Sequence, residues 1–205
     1  MNITDICNMA LSSIAQGRIA SLDEDSEAAR QCGTYYDILR KSLLSSFRWG
    51  FTERSRKLAQ IETDLPGWDY AYAVPTDCLI VRQIYNRSGK KINIDAASKD
   101  HTYHQFKISL INESTKAIGV DIEEAWLDYT ADITNAEMFN PHFVEALAHR
   151  LASAISMPLS GSLTMVQSEY QQYQAAIQEA MLDSAIQNHH EIKWSSTFFD
   201  ARRGL

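Results

Sequence analysis

Between about Phe51 and Ile133 the apolar residues alternate at the period of a strand, whereas the stretches on either side repeat at the period of a helix. Two amphipathic helical ends separated in this way must bury their apolar faces against something, and each is the other's simplest partner. The pattern predicts an α+β fold: a discontinuous four-helix bundle, with two N-terminal and two C-terminal helices, an inserted antiparallel β-sheet and an extended C-terminal arm. Residues 1–50 and 138–188 would form the bundle, 51–137 the inserted β domain, and 189–205 the arm.

The element boundaries follow from caps and breakers. Ile6, Met9, Ala10 and Ile14 mark a first helix over about 3–15, with Thr4 as cap and Gly17 as stop. The second helix takes Asp23 or Asp25 as cap, Glu27 at its positive end, and an apolar face of Ala28, Cys32, Tyr35, Tyr36, Leu39, Leu43 and Phe47. Gly33 costs this helix about 1 kcal/mol relative to alanine, and marks either close approach of another backbone or a tolerated exposed position. Tyr70–Val74 and Leu79–Tyr85, divided by the turn Pro75-Thr-Asp77, read as two strands of one sheet. A turn at 87–91 leads to Ile92-Asn-Ile94, and His104–Ile111, Ala117–Ile122 and Ala125–Thr130 complete four to six strands. Their connections are too short for crossover helices, so a meander is expected. Asn140-Pro141 opens a third helix with Phe143, Leu147, Leu151, Ala154 and Ile155 on its buried stripe and Met157-Pro158 at its end. After Leu159-Ser-Gly-Ser162 a fourth runs to about Gln187, forming an antiparallel hairpin with the third.

Charge narrows the function classes. The net charge is −7, and it is unevenly placed: residues 51–116 carry ten Lys/Arg against eight Asp/Glu, whereas 117–188 carry one Lys/Arg, Arg150, against ten Asp/Glu. So acidic a region repels phosphate backbones, which disfavours nucleic-acid binding through a basic face. Composition, with 45% hydrophobic and 22% charged residues, places the chain in the soluble globular class. No apolar run reaches the roughly 18 to 20 residues of a membrane span, and Met1-Asn-Ile-Thr-Asp5 lacks the features of a signal peptide, so cytoplasmic synthesis is expected. Cys7, Cys32 and Cys78 are odd in number and lie in apolar segments, the pattern of buried thiols in a reducing compartment.

Catalytic and metal-binding motifs are scarce. There is no glycine-rich phosphate loop, nucleophile elbow or paired CxxC, and no cofactor is expected. His101 and His104 lack a cysteine or carboxylate cluster of matching spacing, as do His189 and His190, so no metal site is assigned. Asp121, Glu123, Glu124 and Asp128 are the candidates for a glycosidase pair, which needs two carboxyls about 5 to 9.5 Å apart across a cleft. Adjacent strand residues point to opposite faces, so Glu123 and Glu124 read as a solvated acidic surface. Glu145 and His149 lie at i,i+4 spacing and read as a surface pair; Lys90 and Lys91, at a hairpin tip, read as a solubilising turn ahead of a contact to a phosphate or an acidic partner. Trp194, Phe198, Phe199, Arg202 and Arg203 have the composition of an interface hot spot, which makes 189–205 a partner-binding arm, a tail folded back on its own subunit, or a disordered end.

Two blocks of residues carry a resemblance. The first is Ile19-Ala-Ser-Leu-Asp23, Ser26-Glu-Ala-Ala-Arg30, Cys32, Tyr35-Tyr36, Leu39-Arg40, Leu43-Leu44, Phe47 to Phe51, Trp68-Asp-Tyr-Ala-Tyr72 and Pro75-Thr-Asp-Cys-Leu79. The second is Phe143-Val-Glu-Ala-Leu-Ala-His-Arg-Leu-Ala152, Met157-Pro-Leu-Ser-Gly161 and Tyr173. Together they resemble the head-to-tail adaptor family of short-tailed bacteriophages, also called tail tubular protein A or head-completion proteins. The resemblance implies a structural virion protein and no enzyme: a homo-oligomeric ring, a dodecamer templated by the portal protein, joining it to a tail tubular B-like nozzle protein. DNA would pass through the lumen without sequence-specific binding, and no membrane is involved. It further implies that Asp121, Glu123, Glu124 and Asp128 face the lumen, that Trp194, Phe198, Phe199, Arg202 and Arg203 meet the portal, and that Lys90 and Lys91 point to the tail. A virion-associated peptidoglycan-cleaving enzyme and a non-viral helical binding or scaffold protein are the alternatives.

Overall fold

The computed structural model describes residues 1–63, 65–86, 105–111 and 115–187. The fold is α+β, and the described residues form four helices and two small antiparallel sheets inserted between the second and third helices. The chain divides into two compact units. One holds Met1–Arg54, Asp77–Val81 and the described residues from Tyr129 onward; the other holds Ser55–Thr76 and the described part of Arg82–Asp128.

In the helical unit, α1 (Ile3–Ser13) starts on a capping box rather than on Thr4. Asn2 Oδ1 accepts from the Asp5 amide at 2.8 Å while Asp5 Oδ2 accepts from the Asn2 amide at 2.9 Å, which satisfies two otherwise orphaned donors. The helix ends before Gly17: Ile14 caps it and Ala15 takes a left-handed conformation with φ 57°. The buried Asn8 amide then grips the returning chain, donating to the Ile19 carbonyl at 3.0 Å and accepting from its amide at 2.8 Å.

Ser26, and neither Asp23 nor Asp25, caps α2 (Glu27–Ser46), accepting from the Ala29 amide at 3.2 Å. Asp25 pairs with Arg30 instead, at 2.7 Å. The serine wins because its short hydroxyl reaches back to the third helical amide while its own backbone is extended. Gly33 is an exposed position where an added Cβ would meet nothing within 4 Å, so no backbone approaches it. Past the helix end, the fully buried Trp49 donates its indole N–H to the Leu43 carbonyl at 2.9 Å. This occupies a carbonyl that the last helical turn leaves free.

Asn140 caps α3 (Pro141–Ser160), accepting from the Phe143 amide at 2.8 Å, with Pro141 at the first turn. The helix continues through Pro158 rather than ending there. Proline so near the end removes only one backbone bond, and Gly161, left-handed at φ 66°, closes the turn by donating to the Met157 carbonyl at 3.0 Å. α4 (Leu163–Gln187) returns along α3, and α1 and α2 pack on α3 as well, so α3 is the central helix. Phe47, Trp49, Phe51, Phe139 and Phe143 form one aromatic cluster, with Trp49 and Phe143 edge to face at 5.1 Å.

Among the described residues six strands form two sheets, where one meander was expected. One sheet has the order β1-β6-β3, from Glu53–Lys57, Ala125–Ala131 and Cys78–Asn86. The other has the order β2-β5-β4, from Tyr70–Ala73, Lys116–Val120 and Phe106–Leu110, with Tyr72 and Ile108 both opposite Ile118. The Pro75–Asp77 turn therefore separates two sheets instead of joining strands of one. Asp77 fixes the switch: its carbonyl accepts from the Asp132 amide at 2.7 Å and its carboxylate from the Tyr129 hydroxyl at 3.1 Å, which commits the start of β3 to β6. On β2 the backbone bonds go to β5 and to residues 59–61, with Ala73 donating to Ala59 and Ile61 to Ala71, each at 2.9 Å. The chain passes between the units at Arg54–Ser55, Thr76–Asp77, Val81–Arg82 and Asp128–Tyr129, three of them inside strands β1, β3 and β6.

Candidate functional site

Three of the acidic residues singled out in the sequence share the turn after β5, and their groups hold that turn in place. Asp121 Oδ1 accepts from the Asp69 amide at 3.1 Å, and Glu124 Oε1 takes the Lys57 ammonium at 2.8 Å. Tyr72 donates its hydroxyl to the Ile122 carbonyl at 2.7 Å and also contacts the Glu123 carbonyl. Asp128, further along on β6, accepts from the Ser55 hydroxyl. Lys57 holds the Glu124 carboxyl below its usual range, so this group is ionised at neutral pH. The side chain of Glu123 is exposed with those of Asp121 and Glu124. These carboxylates thus form an acidic surface in which one charge is offset by a lysine from β1.

In the helical unit, a groove of about 570 Å³ lies between α1 and the start of α3. Met1, Met9, Phe139, Val144 and Ala148 give it apolar walls, and Glu137, Glu145 and His149 give it a polar rim. The His149 imidazole is hydrogen-bonded through Nδ1 to Glu169 Oε2 of α4 at 2.8 Å, a partner twenty residues away rather than the i,i+4 Glu145 considered from the sequence. The same hairpin is stitched by Arg150, whose guanidinium stacks 5.4 Å from the Tyr170 ring and 5.6 Å from the Tyr173 ring. Burial pushes the Tyr173 hydroxyl up.

A buried charge network went unread in the sequence. Arg40 is 2% exposed and binds Asp132, the Ile133 carbonyl at 2.5 Å and Asp37 at 2.6 Å. Its signal was present as an arginine inside the apolar stripe formed by Tyr36, Leu39 and Leu43. Cys7 and Cys32 are fully buried, and Cys78 is half-buried. A hydrogen bond with Cys32, together with burial, pushes the Cys7 thiol far up, so it stays protonated.

Apolar side chains are also exposed next to one another at two places, the arrangement that distinguishes a patch from scattered surface residues. On β4, at the edge of its sheet among the described residues, Phe106, Ile108 and Leu110 alternate onto one face and are 36%, 46% and 68% exposed. On α4, Leu182 and Ile186 are exposed one turn apart. Among the described residues no group of three His, Cys, Asp or Glu side chains is placed to hold a metal, and no helix is long and apolar enough to cross a membrane. His101, His104, Lys90, Lys91, His189, His190, Trp194, Phe198, Phe199, Arg202 and Arg203 lie outside the described residues. Comparison with known proteins finds no matching family model and no matching curated relative.

Proposed function

We propose that this chain is a head-to-tail adaptor, a structural subunit of a ring seated between portal and tail nozzle, with virion DNA passing through its lumen. The observation that carries the reading is that its two resembling blocks, separated by the strand region, meet in one core. Trp49 and Phe51 of the first block lie 5.1 and 5.3 Å from Phe143 of the second. The residues that carry the resemblance thus serve a common packing role.

The exposed surfaces suit assembly. A ring needs a heterologous contact, in which one patch of each subunit meets a different patch of the next. The stripe Phe106, Ile108 and Leu110 and the α4 pair Leu182 and Ile186 are two different apolar patches available for such contacts. Asp121, Glu123 and Glu124 suit a lumen wall, because a surface that makes few lysine contacts to phosphate releases few counterions and lets DNA slide. Lys57 beside Glu124 lessens that negative charge at one point. In this reading the arm carrying Trp194, Phe198, Phe199, Arg202 and Arg203 meets the portal, and Lys90 and Lys91 meet the nozzle.

The test is assembly. Purified chain should sediment as a monomer or small oligomer, and on addition of the portal protein from the same virus should form rings visible by negative-stain imaging. A chain that never associates with portal would refute the adaptor reading; stable rings without portal would refute templating alone. Deletion after Asn188 should leave the helical circular dichroism intact and abolish docking.

A further inference from the structure

We propose that in the free chain the open edge of β4 pairs antiparallel with β4 of a second copy, in the register that sets Ile108 opposite Ile108 across a two-fold axis.

Backbone direction supports this site. The sheet β2-β5-β4 lies within a single compact unit. Ile111 donates to the Thr115 carbonyl at 2.9 Å, at the turn that joins β4 to β5. Along an antiparallel strand successive residues bond alternately to either side, so Ser109 and Lys107, opposite Ala117 and Gly119, bond to β5 as well. Phe106, Ile108 and Leu110 therefore direct their N–H and C=O groups to the outer side, where no strand lies among the described residues. The far edge of the same sheet is closed: Ala73 donates to Ala59 and Ile61 to Ala71, each at 2.9 Å. One open edge per copy admits a closed two-fold pair, whereas open edges on both sides would let strands add without limit.

The side chains fit the same register. Ile108 lies beside Ile118 and Phe106 beside Val120, and both β5 residues are fully buried. An apolar face thus runs across the sheet and is cut off at β4, where Ile108 and Leu110 are 46% and 68% exposed. Against a second copy Ile108 meets Ile108 and Phe106 meets Leu110, so the face continues from one sheet into the next. On the other face Lys107 falls opposite Ser109. A slip of one residue would turn the two apolar rows to opposite faces. A slip of two sets Lys107 opposite Lys107 in one direction, where like charges repel, and in the other leaves Phe106 beyond the end of its partner strand. This strand is complementary to itself in one register, which names a second copy as its partner. The inference concerns the free chain and does not rest on the adaptor reading. A pair that ignores a portal would keep this inference and lose that reading, and a monomer that forms rings on portal would do the reverse.

The test uses the full chain in sedimentation equilibrium over a dilution series, where it should weigh two chains when concentrated and one when dilute. Ile108→Pro removes the central outward N–H, a change that an edge strand tolerates, and should weaken association at least about tenfold while circular dichroism is kept. Register is read by disulfide formation under mild oxidation. Chains carrying Lys107→Cys should link to chains carrying Ser109→Cys, with the bond located by mass spectrometry, and Lys107→Cys chains alone should not link through position 107. A single chain at every concentration, with β4 free or taken by another protein's strand, would overturn the proposal. So would species growing beyond two chains, undiminished association of Ile108→Pro, absence of the link between 107 and 109, or a link from 107 to 107. If Ile108→Pro fails to fold, the cysteine pairs decide.

Discussion

Arg40 of α2 is bound by Asp132, a residue ninety-two positions further on that follows directly on β6. The ion pair ties the first helical segment to the point where the chain leaves its strands. Arg40 is 2% exposed, so removing it takes away the buried partner of Asp132, whereas removing Asp132 leaves Arg40 held by Asp37 and the Ile133 carbonyl. Arg40→Ala is expected to lower the unfolding free energy by about 3 kcal/mol, at the low end for a buried pair because Asp132 keeps some solvent contact. Arg40→Met with Asp132→Asn should cost less than Arg40→Ala alone. Urea denaturation of the three proteins measures both.

Acid should weaken the fold. Hydrogen bonds from Lys41 and then Arg40 hold the Asp37 carboxyl below its usual range, and Gln31 and Arg30 do the same for Glu27. The folded chain then binds fewer protons than the unfolded chain, so the stabilisation is present above the ordinary carboxylate pKa of about 4 and is lost as pH falls through the lower folded values. Urea midpoints should be level from about pH 5 to 7 and fall below about pH 4. Asp37→Asn should flatten part of that fall.

Tyr36 offers the opposite case. Its hydroxyl is buried without a hydrogen-bond partner among the described residues, and burial pushes it up to about 12. Tyr36→Phe removes an unsatisfied polar atom and keeps the ring, so it should leave stability unchanged or raise it by about 1 kcal/mol. Unfolded tyrosine ionises near pH 10 while the native group keeps its proton to about 12, so the wild-type chain loses stability across that window. In denaturation at pH 9, 10.5 and 12 the Tyr36→Phe chain should show less of this loss.

Gly119 on β5 is a packing requirement. An added Cβ would lie 2.6 Å from both Cγ and Cδ1 of Trp68. The indole would have to move, and Gly119→Ala should cost about 1 to 3 kcal/mol, the range for overpacking. A shift in tryptophan emission that is absent from a Trp68→Phe control would assign the movement to that ring.

Local signals were the ones legible in the sequence. Asn140-Pro141 sets the start of α3 because cap and first-turn proline act through atoms within a few residues. The alternation of Tyr70–Ala73 and Ala125–Ala131 gave strands for the same reason. Partner choice was not legible, since the pattern of a strand states which face is buried and not which strand lies beside it. The division into two sheets depends on Asp77 meeting Tyr129 and Asp132, contacts across more than fifty residues. Ser26 was passed over for two nearby aspartates because all three are good caps and only the backbone geometry chooses. The same holds for the proposed sites: Asp121, Glu123 and Glu124 could be found by charge, while Lys57 and Glu169 became visible only once the chain had folded.

Because the chain enters and leaves each unit more than once, neither unit is a continuous stretch of sequence. A gene segment covering 55–128 would carry Asp77–Val81 of the helical unit with it, and its removal would take away Asp77, the partner of Tyr129 and Asp132. Transplanting either unit into another protein would require several splices made together.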